Sequence, residues 1–209
     1  VCEQRGLWMH VDAAYGGGAL FAPSARARFD GIERSDSLVI DPHKWLYSPL
    51  DCAALLYRDP ALARSVHGQH AAYLDTMNDE TSGWNPGDYA YQLTRRARGL
   101  PFWFSLAVYG SDAYTAAVET VLATTRSTTD RIRSLDHLEL VREPELSIVL
   151  FRRKGWTASE YTEWSARLAR EQVALVVPTS WQGETVARLA FLHPRTTMDI
   201  VDEVLASTS

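Results

Sequence analysis

Three short apolar runs in the first 57 residues are separated by polar connections that contain glycine. The runs cover residues 7–12, 38–41 and 52–57. Each is nearly continuous rather than alternating, which is typical of strands covered on both faces in a parallel α/β sheet. We therefore predict three strands of a mainly parallel sheet. Gly6 predicts the end of a helix just before the first strand.

Residues 66–88 differ from the rest of the chain because they show no clear hydrophobic period. They contain glycines, an asparagine, a proline and acidic residues, and a segment of about 20 residues of this kind is often a lid or a binding loop. A helical period follows, and Pro101 stands where a helix can begin. The period predicts one long helix that ends at about Ser134.

The pattern after the long helix predicts a small α+β domain. The predicted strands cover 138–141, 146–152, 173–177 and 186–191, and the predicted helices cover 158–171 and 196–206. Two helix starts have the threonine-to-acid spacing of a capping box, Thr157 with Glu160 and Thr196 with Asp199. We place the boundary between a large domain, 1–134, and a small domain, 135–209, at the end of the long helix.

Composition and charge narrow the class of protein. Of the 209 residues 46% are hydrophobic, which is enough for a full core. The formal charge is 21 − 26 = −5 without a block of lysine or arginine, so a nucleic-acid partner is not expected. No apolar run reaches the roughly 18 residues that span a bilayer, and no signal-like segment opens the chain. We expect a cytoplasmic protein with no membrane partner.

Neither the cysteines nor the histidines have the spacing of a metal site. Cys2 and Cys52 have no partner cysteines nearby, so we expect two reduced thiols rather than a disulfide or a zinc site. His67 and His70 lack a third ligand, and we interpret them as an exposed pair on a loop. No metal is expected.

Two short segments carry the most distinctive chemistry. Residues 10–17 are His-Val-Asp-Ala-Ala-Tyr-Gly-Gly, and residues 41–45 are Asp-Pro-His-Lys-Trp. Asp12 and Lys44 each follow a predicted strand, so an acid and an amine converge at neighbouring strand ends. Such a pair is suited to hold pyridoxal 5'-phosphate (PLP), because an amine bonds an aldehyde and a carboxylate pairs with a pyridine nitrogen. The alternatives are a surface lysine after a turn and an aspartate that caps a turn.

Together with Arg-Arg-Ala-Arg-Gly-Leu at 95–100, these two segments resemble the group II PLP-dependent decarboxylases. That family includes aromatic amino acid, glutamate and diaminobutyrate decarboxylases. The resemblance covers nearly the whole chain but only the C-terminal half of such an enzyme, so we expect a fragment of one. It implies an α/β fold of type I among the PLP-dependent transferases, PLP as cofactor, and homodimers whose lids reach into the partner's site.

The resemblance implies roles for the residues of the two motifs. Lys44 forms a Schiff base with PLP, and burial of the amine helps because only its neutral form attacks. Asp12 pairs with the pyridine nitrogen. Ala14 packs on the ring face, unless it is a plain core alanine, and His43 contacts the phosphate or the mobile loop, unless it is only a packed neighbour. Asp41 lies near the phosphate, where like charges favour an indirect role.

Other positions are assigned with open alternatives. Tyr73 resembles the tyrosine that protonates the substrate α-carbon after decarboxylation, and the alternative is an ordinary loop aromatic. Arg188 resembles an arginine that some members aim at the substrate carboxylate, and the alternative is a solvated arginine on an edge strand. Arg96 and Arg98 are interpreted as interface or salt-bridge residues. Gly16–Gly18 are interpreted as a tight turn rather than an anion cradle.

These assignments lead to one main functional hypothesis and two alternatives. The main hypothesis is PLP-dependent decarboxylation of an L-amino acid to its amine, with the substrate open among aromatic amino acids, glutamate and diaminobutyrate. A non-catalytic remnant that only binds a partner subunit is the first alternative. The second is a PLP enzyme with a changed reaction, an aldehyde synthase or an aminotransferase, which Tyr73 disfavours.

Overall fold

A three-stranded sheet forms the centre of the first of two units in the chain. A computed structural model describes residues 1–68 and 85–209. Residues 1–18 and 28–108 belong to the first unit, and residues 19–27 and 109–209 belong to the second. The domain boundary at residue 134 stays a prediction.

The three strands of the first unit are those that the apolar runs predict. They are β1 (His10–Asp12), β2 (Ser37–Ile40) and β3 (Ala54–Tyr57), in the order β1-β2-β3. β1 and β2 are parallel, whereas β2 and β3 are antiparallel. The expectation of a mainly parallel sheet is therefore wrong for the described strands. A parallel crossover is usually formed by a helix, whereas residues 41–53 between β2 and β3 contain only one helical turn.

Short helices precede, connect and follow these strands. They are α1 (Cys2–Arg5), α2 (Pro42–Trp45) and α3 (Pro60–His67), with 3-10 segments at Gly16–Phe21, Pro23–Phe29, Ile32–Arg34 and Pro86–Tyr89. Gly6 ends α1 in the left-handed region, with φ 60°, as predicted. The predicted lid begins within α3 and ends within the last 3-10 segment, and its residues 69–84 lie outside the described part of the chain.

The long helix predicted from Pro101 to about Ser134 is confirmed as α4 (Gly99–Arg133). The helix is interrupted at Gly110, whose φ of 76° and ψ of 164° are not helical. A residue with a side chain rarely adopts this backbone conformation, so glycine suits the interruption. In the second unit, α4 buries residues at the three-to-four spacing of one helix face: Tyr114, Val118, Val121, Leu122, Thr125 and Ile132.

The second unit contains a four-stranded antiparallel sheet and two further helices, which matches the α+β architecture predicted for this part. The strands are β4 (Leu138–Leu140), β5 (Ile148–Arg153), β6 (Thr179–Trp181) and β7 (Glu184–Ala190), in the order β4-β5-β7-β6. The helices are α5 (Ala158–Arg170) and α6 (Met198–Ala206). Phe151 of β5 packs edge-on against Trp164 of α5 in the core, with ring centroids 6.3 Å apart.

Two predictions for the second unit are wrong. Residues 173–177 form no strand. The second neighbour of β7, beside β5, is instead β6. Thr196 and Asp199 form no capping box, because α6 begins after Thr197 and has no side-chain cap. The other capping box is confirmed, since Thr157 and Glu160 exchange side-chain to backbone hydrogen bonds at the start of α5.

The contact between Ser24 and Glu119 makes the stability of the second unit depend on pH. The Ser24 hydroxyl donates to Glu119 Oε2 at 2.6 Å, and its N–H donates to Oε1 at 2.9 Å. Both bonds lower the pKa of Glu119 from its ordinary 4.5, the hydroxyl bond most strongly. Because the folded-state pKa is the lower one, the stabilisation is present above pH 4.5 and is lost as the pH falls through the depressed value.

We expect Ser24→Ala to lower the free energy of unfolding by about 0.5–1 kcal/mol near neutral pH, a small value because the pair is exposed. The difference should shrink at about pH 3. Urea unfolding at both pH values measures it. Ser159→Ala, which removes a serine-to-glutamate bond within α5, is the matched control. An equal loss at both pH values would rule out the linkage to Glu119.

Candidate cofactor site

The parallel pairing of β1 and β2 brings the two motifs to the same edge of the sheet. Asp12 is the last residue of β1 and lies opposite Val39 of β2. Val39 in turn precedes Asp41 by two residues. The segments that leave the two strands are bonded to each other, since the Ala13 N–H donates to the Val39 carbonyl at 3.0 Å and the Asp41 N–H donates to the Ala14 carbonyl at 3.1 Å. The predicted adjacency of the strand ends is therefore observed.

Asp12 and Ala14 form a turn directly after β1. Asp12 is exposed, and its Oδ1 accepts the Ala14 N–H at 3.0 Å. Both backbone groups of Ala14 are thus used, one by Asp12 and the other by Asp41. These bonds fix the backbone on which the Asp12 carboxylate and the half-buried Ala14 methyl group are presented.

Lys44 makes an ion pair within its own helix. Pro42 begins α2, and Lys44 follows one turn after Asp41, so that Nζ lies 2.8 Å from Asp41 Oδ2. The Lys44 side chain is 38% exposed, whereas the Asp41 side chain is 14% exposed. The expected burial of Lys44 is therefore not observed, because the amine reaches from the end of a one-turn helix to a carboxylate that faces solvent on one side.

His43 is held by a backbone carbonyl of the segment before β3. Its Nδ1 lies 2.6 Å from the Cys52 carbonyl oxygen, and since a carbonyl only accepts, Nδ1 carries the hydrogen and donates it. The other ring nitrogen, Nε2, lies 3.9 Å from Asp41 Oδ2. The contribution of Cys52 could not be predicted from the sequence, because every residue has a backbone carbonyl.

The glycines after β1 allow the chain to approach α2 and β2 closely. A Cβ atom on Gly17 would lie 2.8 Å from Ile40 Cγ1, and one on Gly18 would lie 2.8 Å from Trp45 Cβ. Trp45 is fully buried, and its ring lies against Tyr15 with centroids 5.5 Å apart. Close packing thus accounts for these two glycines, which belong to the 3-10 segment Gly16–Phe21 rather than to the tight turn that was predicted.

Arg96 and Arg98 were interpreted as interface or salt-bridge residues, and both form salt bridges. Arg96 Nη2 lies 2.7 Å from Asp51 Oδ1, and Arg98 Nε lies 3.1 Å from Oδ2. A backbone hydrogen bond of Asp51 lowers the pKa of its carboxyl group most strongly, and the two arginines lower this pKa further. These arginines therefore have a structural partner in the first unit.

The remaining predicted residues lie in the second unit or outside the described residues. Arg188 lies in the second unit on β7, opposite Leu150. β7 is an interior strand between β5 and β6, so the alternative of an edge-strand arginine is wrong. Tyr73 and His70 lie outside the described residues. In the ranges 1–68 and 85–209, no three potential metal ligands cluster together, and no helix is both long and apolar enough to cross a membrane.

Comparison with known proteins identifies the family. A family model described as the pyridoxal-dependent decarboxylase conserved domain matches residues 1–154. The chain belongs to this family of pyridoxal-dependent decarboxylases. The resemblance drawn from the two motifs is thereby confirmed, and the solved structures that match confirm fold type I.

Individual relatives match over much of the chain. L-2,4-diaminobutyrate decarboxylase of Rhizobium meliloti is 32% identical over 210 residues, 96% of this chain and 41% of the relative. Cysteine sulfinic acid decarboxylase of Rattus norvegicus is 37% identical over 153 residues, 72% of this chain and 31% of the relative. The structure of Oryza sativa TDC with PLP and tryptamine matches with a TM-score of 0.85 and 28% identity, over 99% of this chain and 45% of that one. The chain spans less than half the length of these proteins.

We expect Gly18→Ala to destabilise the first unit by about 1–3 kcal/mol, the usual range for an overpacked site. The added methyl group would meet Trp45 Cβ, which the buried indole ring holds in place. Urea unfolding measures the change. Gly99→Ala is the control, because a methyl group there meets nothing within 4 Å. Equal unfolding midpoints for the two variants would contradict the packing role of Gly18.

Proposed function

We propose that this chain carries the lysine-bearing part of a PLP-dependent amino acid decarboxylase and that PLP bonds to Lys44. The observation that carries the proposal is the meeting of the Asp12 and Lys44 segments at one edge of the sheet. Membership of the pyridoxal-dependent decarboxylase family supports it. The residues present fit the cofactor, since they offer an amine to its aldehyde and a carboxylate to its ring nitrogen.

Each residue of the site has a distinct role in this proposal. Asp12 keeps the pyridine nitrogen of PLP protonated, so that the ring draws electrons from the bond that breaks when carbon dioxide leaves. Ala14 supplies a small surface for the ring face. His43, whose orientation the Cys52 carbonyl fixes, contacts the phosphate or the loop above the site. Asp41 acts indirectly, through its neighbours.

The substrate in this proposal is an L-amino acid and the product is its amine. Relatives act on substrates as different as diaminobutyrate and cysteine sulfinic acid, according to their names, so the side chain of the substrate stays open. Tyr73 is proposed to protonate the α-carbon, and Arg188 is proposed to bind the substrate carboxylate. We further propose that the enzyme works as a homodimer in the cytoplasm.

A covalent trapping experiment tests the cofactor site. Only two lysines occur in the chain, Lys44 and Lys154. After incubation with PLP and reduction with borohydride, we expect a reduced adduct on the peptide that contains Lys44. The adduct should disappear in Lys44→Ala and persist in Lys154→Ala. A protein that forms no adduct, or one that keeps it in Lys44→Ala, would refute PLP binding at this site.

The reaction type is tested separately at Tyr73. In the enzyme that contains this chain, we expect Tyr73→Phe to shift the product from amine toward aldehyde, because oxygen captures the reacting carbon when no acid protonates it. Product analysis measures the ratio, with Tyr91→Phe as the control on another tyrosine of the first unit. An unchanged ratio would remove the proposed role of Tyr73. Cofactor trapping without any turnover would favour the alternative of a non-catalytic remnant.

A further inference from the structure

Three helical segments of the first unit begin in the same way, with an aspartate or asparagine before a proline. Asp59 Oδ1 accepts the Ala61 N–H at 3.0 Å, and Asn85 Oδ1 accepts the Gly87 N–H at 2.9 Å. Both side chains satisfy a backbone donor that a first helical turn leaves unpaired. Asp41 has nearly the backbone of Asp59, with φ −106° and ψ 94° against −114° and 101°, yet its side chain caps no N–H group.

The Asp41 carboxylate faces the lysine of its own helix instead. Its Oδ2 lies 2.8 Å from Lys44 Nζ, and His43 Nε2 lies 3.9 Å from the same oxygen. The His43 ring keeps this orientation because its Nδ1–H is donated to the Cys52 carbonyl. Among these three helix starts, Asp41 is the residue that does not cap its helix, and it is also the residue whose carboxylate contacts a lysine amine.

This ion pair is not a typical surface pair. The other described ion pairs at the same three-residue spacing join Arg133 to Asp130 and Arg142 to Glu145, and their carboxylates are 77% and 63% exposed. The Asp41 side chain is only 14% exposed. Solvent screens exposed pairs strongly and partly buried pairs much less. Water therefore screens the Asp41 carboxylate less than the carboxylates of the other two pairs, although the Lys44 side chain is 38% exposed.

We propose that Asp41 is a positioning residue for Lys44, whose carboxylate holds the lysine amine whenever the amine is not bonded to PLP. This inference rests on the proposed function for its meaning in the reaction. Lys44 must leave the carboxylate before it bonds PLP, and the same carboxylate receives the amine when a substrate amine takes its place. The contact sets how readily Lys44 reacts and keeps the freed amine close to the site.

The chemistry explains why the contact controls reactivity. An ammonium group has no lone pair, so Lys44 first gives up a proton to solvent. Nζ then forms a bond to the aldehyde carbon of PLP, and the aldehyde oxygen leaves as water. A carboxylate at 2.8 Å holds the amine by a charge-assisted hydrogen bond, and this contact must break before Nζ reaches the aldehyde carbon.

A labelling experiment without PLP tests this inference on the chain itself. The protein is treated with a trace of acetic anhydride at constant pH, and the labelling rates of its two lysines are compared by mass spectrometry. Lys154 is the internal reference, since its Nζ donates to the Asp136 carbonyl in the second unit. In Asp41→Asn we expect the Lys44 to Lys154 ratio of rates to rise about 3- to 10-fold, because no carboxylate then holds the Lys44 amine.

Two matched variants separate positioning from a general loss of structure. Asp59→Asn changes the equivalent residue of α3, which has no lysine partner, and should leave the ratio unchanged. Asp41→Glu keeps the charge and should return the ratio toward the wild-type value. If a substitution at residue 41 merely loosened the fold, Asp41→Glu would raise the labelling of Lys44 as well.

The inference is overturned if Asp41→Asn leaves the ratio unchanged or lowers it, or if Asp41→Glu raises it as much as Asp41→Asn does. Its failure is distinguishable from failure of the proposed function, because the labelling contains no cofactor. A raised ratio together with a failed PLP trapping experiment would refute cofactor binding and still support the contact between Asp41 and Lys44. An unchanged ratio together with successful PLP trapping would support cofactor binding and refute the positioning role of Asp41.

Discussion

The parallel register of β1 and β2 is the constraint on which the site depends. With Asp12 opposite Val39, both strands end at the same edge, and the residues that follow them leave in the same direction. The backbone bonds from Ala13 and to Ala14 then tie the two departing segments together. Antiparallel pairing would have sent Asp12 and Lys44 to opposite edges, and no local helix or turn could have brought them back together.

Around this edge, packing and hydrogen bonds determine the position of each functional group. Gly18 allows the chain to pass against Trp45, so the turn after β1 stays close to α2. The Cys52 carbonyl orients His43, although Cys52 lies nine residues away. Asp41 gives up the capping that Asp59 performs on an equivalent backbone and meets Lys44 instead. A capping hydrogen bond is thus exchanged for an ion pair with the lysine of the same helix.

The hydrophobic pattern predicted where most strands and helices lie, but it did not predict how the strands pair. The apolar runs located β1, β2 and β3, but an apolar run carries no information about strand direction, so the antiparallel β3 was missed. Residues 173–177 are more apolar than β6, although β6 is the strand. The better signal was the turn between β6 and β7, where Gln182 and Gly183 have φ of 51° and 85°, as in a tight hairpin. Neither the ion pair of Asp41 nor the carbonyl that holds His43 was predicted, because the first depends on the one-turn helix α2 and the second on a backbone group.

Both faces of β3 are apolar and partly exposed. Leu55 and Leu56 are 51% and 49% exposed, and consecutive residues of a strand face opposite sides of the sheet. This continuous apolar pattern is typical of sheets that are covered on both faces, and it is the pattern from which the strand was predicted. The hydrogen bonds and ion pair of the Asp12 and Lys44 edge are all made by residues of this chain.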